Sequence, residues 1–363
     1  MKKYILLLLL VLPFTLHAQS FVDDSFESEI FKAKIIEVVG EEEKNIEGEL
    51  NIVQQNLLLS GIEGNWQGKE FTVNTINDIE AINSYQHKVG DKVLVNYSID
   101  FEGEDTFYII DSIRYNALLY IFLLFIIAVV IVGRWKGLRS LLSLLFSFLI
   151  IFYFIIPNIF NGSNPVWIAL LGGLFMSPFI IYLTEGWNSK SHASLISIYI
   201  SLFITGIISW FFIRFSSLTG SSEELMFLVG NSNVVDFKGL LLAGIIIGSL
   251  GVLDDLVVSQ VSVVKEIISA NSSLNRKEIY MKAKRVGVSH LGSMTNTLFL
   301  AYAGVSLPLL LLFYIQQPPF MTIGEVLNSE LIATEIIRTL VGSIGLVLAM
   351  PISTILAIKF FKK

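Results

Sequence analysis

The sequence predicts a membrane α-helical bundle of about seven transmembrane helices, preceded by a small extracytoplasmic all-β domain that is OB-like in pattern. Three observations carry this. The 363 residues are 53% hydrophobic and only 15% charged, and the mean hydropathy is +0.69, a balance that multi-pass membrane proteins show and soluble domains rarely do. The charge changes sign along the chain: residues 19–116 hold 20 acidic against 7 basic residues, whereas residues 117–363 hold 11 acidic against 16 basic. Finally, β-type runs fill the acidic part and long apolar runs fill the rest.

The first residues, "MKKYILLLLLVLPFTLHAQS", join Lys2 and Lys3 to a short apolar run and the small Ala18. This is the pattern of a cleavable secretory signal over 1–18, the run being too short for a comfortable crossing. An uncleaved anchor is the alternative. Without cysteine, lipidation at a signal cysteine, disulfides and thiolate chemistry are excluded.

Residues 30–113 alternate runs such as "FKAKIIEVV", "KEFTVNTI" and "DKVLVNYSI" with turn-rich "GEEEKN", "GIEGNWQG" and "HKVGD". About five short strands of β-branched content suggest a small barrel. Its acidity argues against nucleic acid as a partner.

Residues 117–363 form the membrane domain. Apolar runs at about 117–133, 140–156, 165–183, 193–213, 239–264, 286–315 and 334–358 give seven expected spans. An odd number of crossings after a secreted start puts the N-terminal domain outside the membrane and the C-terminus inside. The charges agree. Thirteen basic residues fall on expected inner segments (Arg134, Lys136, Arg139, Lys190, six between Lys265 and Arg285, and Lys359, Lys362 and Lys363), against three on outer ones, as the positive-inside rule requires. In the inner loop, Asn275 and Glu278 have capping-box spacing and should start a helix.

Two carboxylates interrupt the fifth span: "GSLGVLDDLVVSQ" carries Asp254 and Asp255. Intramembrane charge is costly and marks a functional site by default. Helical spacing draws one stripe through Gly244, Gly248, Gly251, Asp255, Ser259, Ser262 and Glu266. Its glycines would admit a neighbouring helix closely. Asp254 points about 100° away, so either Asp255 alone belongs to a site or the helix unwinds near Gly251. The sixth span offers a partner face with His290 and Asn296. Counted from the inner charges, Asn296 lies at the depth of Asp254, and His290 at that of Gln260.

Asp254, Asp255, Asn296, Ser259, Gln260 and His290 are therefore the expected ion or proton site. Carboxylate, amide and hydroxyl oxygens suit protons or hard cations, not soft metals. The bland alternative is that the Asp pair only bonds neighbouring helices, that His290 is merely packed, and that the loop cations only set topology. "GSLGV" at Gly248 is echoed by "GSIGL" at Gly342, which adds Gly342 and Gly345 to the expected helix-packing positions. Glu335 and Arg338, three apart, read as an ion pair near the outer boundary.

Three segments, "GVLDDLVVSQVSVVKEI", "RVGVSHLGSMTNTLFLAYAGVSLPLLLLF" and "ATEIIRTLVGSIGLVLAMPISTILA", resemble in order the hallmark regions of the YibE/F-like family of bacterial membrane proteins. The resemblance covers about residues 117–358 and implies a multi-pass protein of a bacterial cytoplasmic membrane. It brings no catalytic residue set with it.

The functional expectation is a transporter or channel-like protein that handles a cation or couples to protons, without a cofactor. The alternative is a non-transporting assembly or envelope partner whose β domain docks a partner. The lipid bilayer is an expected partner under both, and a homo-oligomer or another membrane protein is compatible with either. An aspartyl intramembrane protease fits poorly, because adjacent Asp residues on one helix cannot face each other as a dyad must. Enzymatic activity is not expected.

Overall fold

The computed structural model describes residues 29–46, 50–74, 86–100, 103–220, 236–316 and 321–362. The expected signal segment, 1–18, lies outside them. The chain divides into two compact units, the break falling between Ala128 and Val129.

In the first unit, strands β1 (Glu29–Ile46), β2 (Leu50–Gly61), β3 (Glu70–Asn74), β4 (Lys92–Ile99) and β5 (Asp105–Ser112) form one antiparallel sheet of order β3-β2-β1-β4-β5. Phe31, Ala33 and Ile35 alternate inward on β1, at the strand period of two. The sheet curls until its two edge strands meet: the rings of Phe71 on β3 and Phe107 on β5 stack at 4.4 Å. Trp66 fills the concave side, 4.8 to 6.0 Å from Phe31, Phe71, Tyr97 and Phe107. A side chain at Gly61 would begin 2.0 Å from the Trp66 carbonyl oxygen, so this approach requires glycine.

One expected turn is not a turn. "GEEEKN" extends β1 and pairs with β2 from Gly40↔Asn56 to Ile46↔Leu50. The backbone ladder supplies the hydrogen bonds that hold this segment extended. At the base of this arm, the Gln55 amide holds the backbone of His87, accepting from its N–H at 2.8 Å and donating to its carbonyl at 3.2 Å.

The second unit is helical. The helices are α1 (Tyr115–Ile150, continued by a π turn and a short helix to Phe160), of which the residues up to Ala128 belong to the first unit, α2 (Pro165–Glu185), α3 (Ser189–Phe215), α4 (Phe237–Ala270), α5 (Arg276–Val305) and α6 (Glu330–Phe361). Five stretches are long and apolar enough to cross a membrane: Tyr115–Phe160, α2, α3, α4 and α6. A sixth is made if α5 and the segment Leu307–Ile315 count as one span bent by 75°. The bend has a cause in Pro308, which cannot donate a backbone hydrogen bond and restricts the residue before it.

The first two expected spans thus fall within one helical stretch, and what separates them is a single residue rather than a loop. Arg134 leaves helical geometry at φ 48° and ψ −130°. The turn is sharp. A side chain at Gly137 would begin 2.3 Å from the Val129 carbonyl oxygen, whereas residues eight apart in a straight helix stand about 12 Å apart. As the spacing predicts, Asn275 and Glu278 close a capping box at the start of α5.

The tightest seam joins α3, α4 and α6. Along α3, Ser194, Ser197, Ser201, Thr205 and Ser209 are all buried at steps of three and four. Ser197, Thr205 and Ser209 return their hydroxyl hydrogens to carbonyls four residues back, so they present little more than a methyl's bulk to the next helix. Gly345 of α6 meets this stripe, where a side chain would begin 2.3 Å from Thr205 Oγ1. At the far end of α3, Glu330 Oε1 at the start of α6 accepts from the Thr219 and Gly220 backbone N–H groups, each at 2.7 Å.

Two outcomes follow. Gly345→Val overpacks the seam and should cost about 1–3 kcal/mol, read as a lower thermal midpoint in detergent; an unchanged midpoint would show that the seam has slack. The second concerns the β unit. Burial lowers the pKa of His87 below 6.5, against the opposing charges of Asp91 and Asp111. The fold therefore keeps the ring neutral where the unfolded chain binds a proton. Its contribution is full above pH 6.5 and is lost as pH falls through the lower folded-state pKa. Unfolding of the β unit in the full chain should become easier as pH falls below 6.5, and less steeply so in His87→Gln.

Candidate functional site

α4 is helical without interruption from Phe237 to Ala270. No unwinding occurs at Gly251, yet both carboxylates border one space. A cavity of about 690 Å³ is lined by Ser140 and Ser143 of α1, Thr184 and Glu185 of α2, Lys190 of α3, Asp254, Asp255, Ser259, Ser262 and Glu266 of α4, and Val286 of α5. It is wide enough that two side chains pointing about 100° apart can both reach it. It lies where α2 ends and α3 begins.

Chemically, the cavity holds four carboxylates and one cation. Lys190 Nζ is bonded to Glu185 Oε2, and both side chains are largely withdrawn from solvent. Asp254 lies close enough to Asp255 and Glu185 for their charges to act on it. Its Oδ1 is buried and has no hydrogen-bond partner among the described residues. A buried oxygen with that capacity is costly unless it meets a proton, a cation or water.

The other expected site residues are spread around this space. Ser259 lines it with the Asp pair. His290 is near enough to Asp255 for their charges to interact but does not line the cavity. Asn296 is exposed on α5 and stands outside it. Gln260 points elsewhere, 2% exposed, donating to the Ala283 carbonyl at 3.1 Å and to Thr354 Oγ1 at 2.8 Å. It ties α4 to α5 and α6. Among the described residues, no three His, Asp or Glu side chains converge to hold one metal ion.

Five polar cavity groups escape a sequence reading: Ser140, Ser143, Thr184, Glu185 and Lys190. Glu185 and Lys190 flank the short link "GWNS", and Ser143 sits in an apolar run. Only Lys190 has an evident signal, as a topology charge. Its pairing with Glu185, five residues earlier, is local enough to be sought by pattern.

The packing glycines also divide. Gly345 is in tight contact, while Gly342 meets Ser249 Oγ and Leu298 at ordinary distances of 3.7 and 3.8 Å. Gly248 faces the Tyr302 hydroxyl at 3.2 Å, and nothing stands within 4 Å of a side chain built at Gly244 or Gly251. Close approach instead occurs at Gly172 on Ile155, Gly173 on Leu202 and Gly287 on Gln260. The echoed serines, Ser249 and Ser343, are both buried and both bond the carbonyl four residues back. The model for YibE/F-like proteins matches residues 121–363. The chain belongs to the YibE/F-like family. The match covers α2 to α6 whole and all but the first residues of α1, and hence every residue lining the cavity. No curated protein and no solved structure matches this YibE/F-like chain.

Gln260→Leu removes two interhelical hydrogen bonds and should cost about 1–2 kcal/mol. The measurement is thermal unfolding in detergent, and a midpoint equal to wild type would release Gln260 from this structural role.

Proposed function

We propose that the chain is a membrane transporter that passes a proton or a hydrated monovalent cation through the cavity of Asp254 and Asp255. The observation that carries this reading is the buried, unpartnered Asp254 Oδ1 beside an excess of carboxylates. Lys190 neutralises Glu185, and the Asp pair is left as the acceptor. Ser140, Ser143, Ser259 and Ser262 offer hydroxyl oxygens that suit a hard cation or a chain of water. A chelated divalent ion is less well supported, since no three ligating side chains converge among the described residues. The reading involves no catalytic step and no cofactor.

The topology proposed with it has seven crossings. The stretch Tyr115–Phe160 has 46 residues, about 69 Å of helix against about 30 Å of hydrocarbon, and the sharp turn at Arg134 divides it into two. The bent pair ending at Ile315 supplies the sixth crossing. This places the β unit outside the cytoplasmic membrane of a bacterium. Its strand order fits an OB-like barrel in which β3 and β5 meet through Phe71 and Phe107 without pairing their backbones. Those unpaired edge backbones favour the second reading, in which the β unit docks an envelope partner and no ion passes.

Proteoliposomes loaded with a pH-sensitive dye separate the two. Wild-type protein should dissipate a proton gradient, or an imposed Na⁺ or K⁺ gradient, faster than empty vesicles. Asp254→Asn and Asp255→Asn should return the rate to that of empty vesicles. A wild-type rate no faster than empty vesicles would refute transport of these ions, and equal flux in both variants would refute the site.

A further inference from the structure

The ion pair in the cavity stands where neither of its helices favours it. Glu185 is the last residue of α2, and Lys190 lies in the first turn of α3. The carboxylate therefore meets the negative end of one helix dipole, and the ammonium the positive end of the other. The corner between the helices is held without this pair. Asn188 caps α3, accepting from the Ser191 N–H at 3.1 Å, and donates to the Glu185 carbonyl at 2.9 Å. Ser191 donates to the Gly186 carbonyl, and Tyr182 and His192 share a hydrogen bond of 2.8 Å. What the pair contributes is charge inside the cavity, beside Asp254, Asp255 and Glu266. Among the described residues, none of those three carboxylates has an ion pair.

A buried carboxylate without a counter-charge is costly, and an ion site meets that cost each time its ion leaves. A nearby lysine can offset it, because its ammonium is a compact charge on a flexible stem and is not tied to the planar geometry of a guanidinium. We infer that Lys190 is a tethered cation that exchanges between Glu185 and Asp254. On Glu185, as in this structure, it leaves Asp254 open to the passing ion. On Asp254 it takes that ion's place. The uncompensated charge then falls on Glu185, 26% exposed at the helix corner, and not on the buried Oδ1 of Asp254. All three side chains line one space, and the charge of Glu185 already acts on Asp254. The inference rests on the reading of this cavity as an ion site and adds how that site is kept neutral between ions.

A membrane-permeant carbodiimide tests the reach of the ammonium in the full-length protein in native membranes. The reagent activates a carboxyl group, and an amine within reach displaces the resulting urea to leave an amide cross-link. In Glu185→Gln, mass spectrometry of the digested protein should find Asp254 joined to Lys190, a link between peptides of α4 and α3. In Lys190→Gln no cation contests Asp254, so its carbodiimide adduct should form up to about fivefold faster than in wild type, the worth of one partly exposed ion pair. Both variants lose the same ion pair, so a pair that only staples the corner would shift both alike and give no cross-link. Asp254 modified in Glu185→Gln without a link to Lys190, or labelled at the wild-type rate in Lys190→Gln, would overturn the inference and leave the ion site standing. Asp254 unmodified in wild type and in both variants would overturn the ion site and the exchange with it.

Discussion

Everything in the helical unit depends on how closely α3 and α6 can approach. Burying apolar surface does little to hold helices together in a membrane, because lipid is as apolar as leucine; contact must come from packing and small side chains. The Ser194–Ser209 stripe and Gly345 supply it. With Gly345 lying on Thr205, the two backbones come close enough for α4 to pack against both. Leu253, Leu256 and Val257 of α4 are then fully buried. That burial fixes the rotation of α4, and the rotation decides where its two carboxylates go.

Adjacent residues on a helix serve different surroundings, and the Asp pair shows the consequence. Asp254 sits on the half-buried flank of α4, between the core seam and the cavity. Asp255 falls on the exposed stripe shared with Gly244, Gly248 and Gly251. One residue is held by protein on most sides and the other stands at the rim of the cavity. A single α4 orientation thus brings both carboxylates to one cavity. Gln260, one turn further along, locks that orientation through α5 and α6.

Much of this was legible in the sequence, and the failures are physical rather than random. Apolar runs announced the helices, and Asn275 with Glu278 announced a helix start, because both signals are local. "GEEEKN" misled because a two-stranded ladder is satisfied by its own backbone and tolerates turn-like residues. The break at Arg134 was expected as a loop, yet one residue in left-handed geometry suffices when glycine three positions on allows the close return. The glycine stripe of α4 was readable as a pattern, but a pattern of small residues does not say whether a helix arrives. In fact the contact fell on Gly345, Gly172 and Gly287. The α3 serine stripe has an equally clear period, but it carries no apolar signal because serine does not count as apolar. Glu185 joins Asp254 only through the meeting of α2 and α4, which no local pattern encodes.

The proposed role of Asp254 is to present a sheltered carboxyl group to an ion or proton pathway. A hydrophobic carbodiimide tests it most directly, since such reagents modify carboxyl groups that are screened from water and reachable from the membrane. Mass spectrometry of the labelled protein should place the adduct on Asp254, with labelling slowed by the cation that the cavity accepts and absent in Asp254→Asn. Labelling spread over exposed carboxylates, with Asp254 unmodified, would contradict the account.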